Sequence, residues 1–115
     1  VTKLYEAARQ ARIKEAQAIL ARMKVRHPAA FPFPPHPLKI GVREDLIAAG
    51  WTDEEVSTVL GYYLKTKPYL QSTYAEGAFR IDLNGCPTAP VQDHEAHWAR
   101  ATAQGGPFYA PARAR

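Results

Sequence analysis

Residues 3–26, "KLYEAARQARIKEAQAILARMKVR", place Ile13, Ala16, Leu20 and Met23 at three- to four-residue intervals, the spacing of one helical face. The stretch has no Gly or Pro and is rich in Ala, Glu, Lys, Arg and Gln, so it predicts one long helix. Upstream of the stripe, Ala7, Ala8 and Ala11 bury little area, and this first half is expected to project from the core. "HPAAFPFPPHP" (27–37) then packs five prolines into eleven residues. Proline lacks an amide donor and restricts its predecessor, which predicts an ordered connector without regular structure. Phe31 and Phe33 are the expected anchors of that connector.

A short helix is predicted over 38–49, with Ile40, Leu46 and Ile47 inward and Gly50 as its stop. In "TDEE", Thr52 and Glu55 have capping-box spacing and Trp51 is available as a staple, so a helix over 53–64 should bury Val56, Val59, Leu60 and Tyr63. "KTKPYL" opens another helix, with Pro68 at its first turn and Thr66 or Lys67 as its cap, ending near Glu76 and Gly77. "FRIDLNGCPTAPV" carries the only clear strand signal. Phe79, Ile81 and Leu83 alternate with Arg80 and Asp82, and Asn84-Gly85 suits a two-residue hairpin turn. A lone hairpin is marginal and must pack on the helices. Asp93 is the expected cap of a last helix, "HEAHWARATA", stopped at Gly105, and "FYAPARAR" reads as a flexible basic tail. The expected class is therefore mainly α with a small β-hairpin, α+β. Three segments result: a basic helix (1–26), a core domain (27–104) and a tail (105–115).

Composition narrows the classes. The chain has 115 residues, enough for one core, and its 46% hydrophobic and 23% charged content is that of a folded domain. It opens on Val, as an excised domain or processed product would. No run reaches the ~18 apolar residues of a membrane span, and no secretory signal is visible. A single cysteine, Cys86, cannot form an internal disulfide, which fits a reducing cytosol. Net charge is +4, and seven of the fifteen Lys and Arg lie on the first helix, against Glu6 and Glu15. This balance favours an anionic partner without specifying one.

Four places carry candidate chemistry. Lys39 stands at the first turn of the predicted second helix, where the helix dipole disfavours a cation unless an anion shares the site. Residue chemistry alone favours a solvated lysine with its stem on Leu38 and Pro37. "KTKPY" sets Lys65, Thr66, Lys67 and Tyr69 around a helix start, either an anion pocket or an ordinary capped helix. Arg80 and Asp82 share a strand face and are expected to pair; alternatively Asp82 holds the Arg80 fork still for a phosphate. His94 and His97 lie three apart, but only Cys86 and Asp93 are nearby as further ligands, so no metal is expected. Nucleophile–base arrangements and glycine-rich phosphate loops are absent from the sequence, and neither an enzyme nor a cofactor is expected.

Taken in order, "HPAAF", "PLKIGVREDL", "YYLKTKPYL", "GAFRIDLNGCP" and "HEAHWAR" resemble the ProQ/FinO family of bacterial RNA chaperones over about residues 25–100. The resemblance implies a helical domain with a small hairpin. It also implies cytoplasmic, monomeric binding of structured RNA, especially a hairpin with a single-stranded 3′ tail as at intrinsic terminators. Pairing of small or antisense RNAs with mRNA would follow. By motif, Lys39 would lie on the concave RNA-binding face, Tyr69 in a helix N-terminal pocket for the RNA 3′ end, and Arg80 against RNA. Gly61 and Lys67-Pro68 depart from the family's arginine and Trp-Arg positions, so either Lys65 and Lys67 supply the charge or affinity is lower. Asn84 replaces an aspartate and Trp98 an alanine. Two other classes compete. A DNA-binding helix-turn-helix around 50–66 would present the acidic "DEEVSTV" to phosphate. A protein-interaction module built on the first helix would lack a sustained heptad seam.

Overall fold

The computed structural model describes residues 2–105. The helices are α1 (Thr2–Arg26), α2 (Val42–Ala48), α3 (Asp53–Tyr63), α4 (Lys67–Tyr74) and α5 (Asp93–Ala103). Between α4 and α5 run two antiparallel strands, β1 (Phe79–Ile81) and β2 (Pro87–Pro90). The α+β class expected from the pattern is the one observed. Of the tail, residues 106–115 lie outside the described residues.

α1 packs on α3 through Ala16, Ile19, Leu20 and Met23. Ile19 belongs to the stripe, while Ile13 is only half-buried at its edge. Leu4 and Tyr5, near the start of α1, are exposed. In the connector, Phe31 is buried edge-on against Tyr63, at 5.3 Å between ring centroids. Phe33 does not anchor anything: it is 94% exposed. Ala30, Phe31 and Pro37 do the anchoring instead.

The second helix starts later than its pattern predicts. Leu38 extends beside β1, and the Lys39 amide donates to the Ile81 carbonyl at 2.8 Å. Pairing with the strand holds 38–39 out of the helix; Gly41, at a φ of 101°, makes the turn into it. The register then points Leu38, Val42 and Leu46 inward and leaves Ile40 72% exposed and Ile47 on the surface.

α3 is capped as expected. Thr52 Oγ1 accepts from the Glu55 amide and Glu55 accepts from the Thr52 amide, each at 3.0 Å. At α4 the N-cap is Thr66, but its hydroxyl turns back to donate to the Tyr63 carbonyl at 2.8 Å.

The hairpin differs from a two-residue turn. Five residues, 82–86, join the strands, because the Asp82 carboxylate accepts from the amides of Asn84 and Cys86, both at 2.9 Å. A bulge lies between Arg80 and Ile81, whose partners are Ala89 and Pro87. Only Ile81 of the predicted inward set is fully buried; Leu83 is half-buried and Phe79 is largely exposed. α5 begins at Asp93 with Gln92, not Asp93, as its cap: the Gln92 amide donates to Glu95 at 3.0 Å. α5 then packs along α4, with Ala99 fully buried.

Candidate nucleic-acid interface

β1 enters beside the connector and in front of α5, and this placement decides what Arg80 does. Its Nη1 donates to the Leu38 carbonyl at 2.8 Å and its Nη2 pairs with Glu95 Oε1 at 3.3 Å. The side chain is 14% exposed. Glu95, not Asp82, therefore holds the guanidinium, since Asp82 is spent on its own turn. The bond from the Gln92 amide, with Arg80 adding to it, holds the Glu95 carboxyl below the usual carboxylate range.

Tyr69 completes the junction. Its hydroxyl accepts from the Leu38 amide at 2.9 Å, so Tyr69 and Arg80 grip both polar groups of Leu38. Burial pushes the Tyr69 phenol up. The neighbouring Tyr63 ring lies 5.2 Å away, and burial pushes its phenol up to about 12. The Tyr63 hydroxyl is buried with no hydrogen-bond partner among the described residues.

Lys39 is next along the chain from this grip. Its ammonium contacts Asp45 Oδ2 at 2.8 Å, with both side chains about one-third exposed. That hydrogen bond raises the Lys39 pKa, and the nearby carboxylates add to it. An internal anion thus explains the position of this lysine, and the helix it was expected to start begins three residues later.

Two adjoining depressions mark the face beside this junction. One, of about 780 Å³, lies between α3, α4 and α5 and includes Lys65, Tyr69 and Arg80. Leu60, Leu64 and Leu70 contribute apolar lining; Arg43, His94 and Trp98 contribute polar and aromatic groups. The other, of about 540 Å³, lies between α1 and α3 and includes Arg9, Arg12, Lys65 and Thr66. Ser57, Gly61 and Lys65 are common to both. Gly61 has nothing within 4 Å of where a Cβ would stand, so the two depressions meet across a bare helical backbone.

Lys65, Tyr69 and Arg80 are thus brought to one depression, and Thr66 to its neighbour. Lys67 is exposed outside both, and Lys39 touches the site only through the Leu38 grip. Around the α4 start, Thr66 bonds backwards, Tyr69 is engaged by Leu38, and Lys65 and Lys67 face solvent. Three contributors escaped the sequence reading. Arg43 pairs with Asp53 and donates to Ser57 Oγ at 2.8 Å. Glu95 orients Arg80, and Trp98 stands in the larger depression. The Gln-x-x-Glu spacing of Gln92 and Glu95 was a visible signal for a cap; nothing in the sequence showed that Arg80 shares the carboxylate. Among the described residues no His, Cys, Asp and Glu cluster could hold a metal ion. No described helix is long and apolar enough to cross a membrane.

Comparison with known proteins gives a consistent result. The ProQ/FINO family model matches residues 13–107. The RNA chaperone ProQ of Haemophilus influenzae is 33% identical over 111 residues, covering 90% of this chain and 56% of that protein. The RNA chaperone ProQ of Pseudoalteromonas atlantica is 40% identical over 70 residues, covering 56% of this chain and 32% of that protein. The chain therefore spans between about one-third and just over half the length of these relatives. Among solved structures, NMB1681 from Neisseria meningitidis, described as a FinO-like RNA chaperone, superposes with a TM-score of 0.63 at 26% identity, covering 97% of this chain and 88% of that one. A ProQ homologue from Legionella pneumophila shares the fold with a TM-score of 0.64 at 24% identity, covering 79% and 81%. With most of its length matched by the family model and its architecture shared with these structures, the chain belongs to the ProQ/FinO family.

Proposed function

We propose that this chain is an RNA-binding, non-enzymatic chaperone domain of the cytoplasm, acting as a monomer on structured RNA. The observation that carries the reading is the continuity of the two depressions at Gly61 and Lys65. They form one cation-bordered path from Arg9 and Arg12 on α1 to Arg80 on β1. An A-form stem hides its base edges in a narrow major groove, so a protein meets it through phosphates, 2′-hydroxyls and shape. The cations of α1, together with Lys39, suit stem phosphates. Lys65 and Lys67 flank the start of α4, whose first amides suit the terminal sugar-phosphate of a 3′ tail. Tyr69 supports that end from beneath through Leu38, and Arg80 bridges the two zones from the Glu95 side.

A terminator-like hairpin with a short single-stranded 3′ tail is the proposed ligand class, and promotion of small or antisense RNA pairing the proposed consequence. The test compares three ligands at several salt concentrations: this hairpin with a 3′-hydroxyl, the same hairpin with a 3′-phosphate, and duplex DNA of equal length. Binding should be salt-sensitive, weaker for the 3′-phosphate, and weakest for DNA. Equal affinity for the two RNA ends would refute the assignment of the α4 start. Preference for the duplex DNA would restore the helix-turn-helix reading.

A further inference from the structure

Trp98 is 45% exposed on α5, directly before fully buried Ala99. Helical spacing sets it one turn beyond Glu95 and His94 on the same face. It therefore flanks the Glu95–Arg80 pair, and Lys65 lines the depression from the end of α3. Single exposed aromatics are ordinary on protein surfaces. The setting of this one is not, because its indole borders a depression lined both by Leu60, Leu64 and Leu70 and by Lys65, Arg43 and Arg80. The Lys65 ammonium has no ion-pair or hydrogen-bond partner among the described residues, so a free cation lines the same depression as the ring. The Glu95 carboxylate is already shared between Arg80 and the Gln92 amide. An apolar peptide would match the leucines and leave the Lys65 ammonium unanswered. A nucleotide matches both, with a flat apolar base and an attached anion.

We propose that Trp98 is a base-stacking platform that receives an unpaired nucleobase of the bound RNA, with Lys65 placed for the phosphate of the same or the adjoining nucleotide. The inference rests on the RNA-binding reading above. It adds to that reading a contact that depends on bases and not on charge. It also assigns a role to an aromatic ring that the phosphate-tracking scheme leaves unused.

The probes are two hairpin RNAs with identical stems, one with an unpaired uridine tail and one whose tail is abasic but keeps every phosphate. Wild-type protein should bind the uridine tail on the order of tenfold more tightly than the abasic tail, with quenching of tryptophan emission only for the former. Trp98→Ala should erase that discrimination and the quenching, while Trp98→Tyr should keep most of the discrimination. Trp51 is buried, hydrogen-bonded to His27 and outside this depression, so it should contribute a signal insensitive to the tail. Tight wild-type binding of both hairpins without discrimination would overturn the stacking role and leave the RNA-binding reading standing. Discrimination that survives in Trp98→Ala would also overturn it. Failure of the wild type to bind either hairpin would remove the RNA-binding reading and this inference with it. Concentration-dependent self-association abolished by Trp98→Ala would assign the ring to a second copy of the chain instead.

Discussion

Two tyrosines with rings in contact illustrate how differently one hydroxyl can be used. Tyr69 accepts from the buried Leu38 amide, whereas the Tyr63 hydroxyl is buried without a partner among the described residues. Removing an acceptor from a buried amide costs about 1–3 kcal/mol; removing an unpaired buried hydroxyl relieves a desolvation cost. Tyr69→Phe should therefore lower unfolding free energy by about 1–3 kcal/mol in urea titrations, and Tyr63→Phe should leave it unchanged or raise it. His27 gives a pH signature. Its Nε2 accepts from the Trp51 indole at 2.9 Å, which requires a neutral ring, and burial followed by the nearby Arg26 lowers its pKa from 6.5. The folded state thus binds this proton less readily than the unfolded state. Its contribution is full above the unfolded value and is lost as pH falls through the depressed folded one. Melting temperature should decline from pH 7.5 to pH 5.5, and His27→Gln should flatten that decline.

At the scale of elements, two glycines predict opposite effects. Gly61 sits within α3 with open space around it, so Gly61→Ala should stabilise by about 0.5–1 kcal/mol through helix propensity alone. Gly85 holds a φ of 81° in the loop between β1 and β2, and a Cβ there would stand 3.1 Å from the Ala29 Cβ and 3.2 Å from its carbonyl oxygen. Gly85→Ala should cost about 1–2 kcal/mol or more, and thermal melts of the two variants should move in opposite directions. Elements defined by local chemistry were legible in the sequence: the long Ala-rich α1, the Thr52–Glu55 box and the Pro68 helix start. Elements defined by distant partners were not. Leu38 and Lys39 read as helix because nothing nearby reveals that Ile81 will pair with them. Asn84-Gly85 read as a tight turn because the carboxylate of Asp82 enlarges the loop. Among the site residues, Lys65 was legible only as a cation beside a helix start. Arg80 acquired its true partner, Glu95, only when α5 folded back across β1.

At the scale of the molecule, cations among the described residues border a continuous concave path from α1 past Gly61 to the α3–α4–α5 depression. Overall charge does not distinguish this path from any other basic surface; position does. The most direct measurement therefore compares two charge reversals that alter net charge equally, Lys65→Glu and Arg100→Glu. Lys65 lies where the two depressions meet, while Arg100 stacks over Tyr74 at 5.1 Å, roughly half a turn around α5 from Trp98. Binding of a fluorescently labelled hairpin RNA with a single-stranded 3′ tail, titrated at fixed salt, should weaken about tenfold or more for Lys65→Glu and far less for Arg100→Glu. Equal losses from the two reversals would mean that RNA responds only to net charge, and would contradict the interface described for this face.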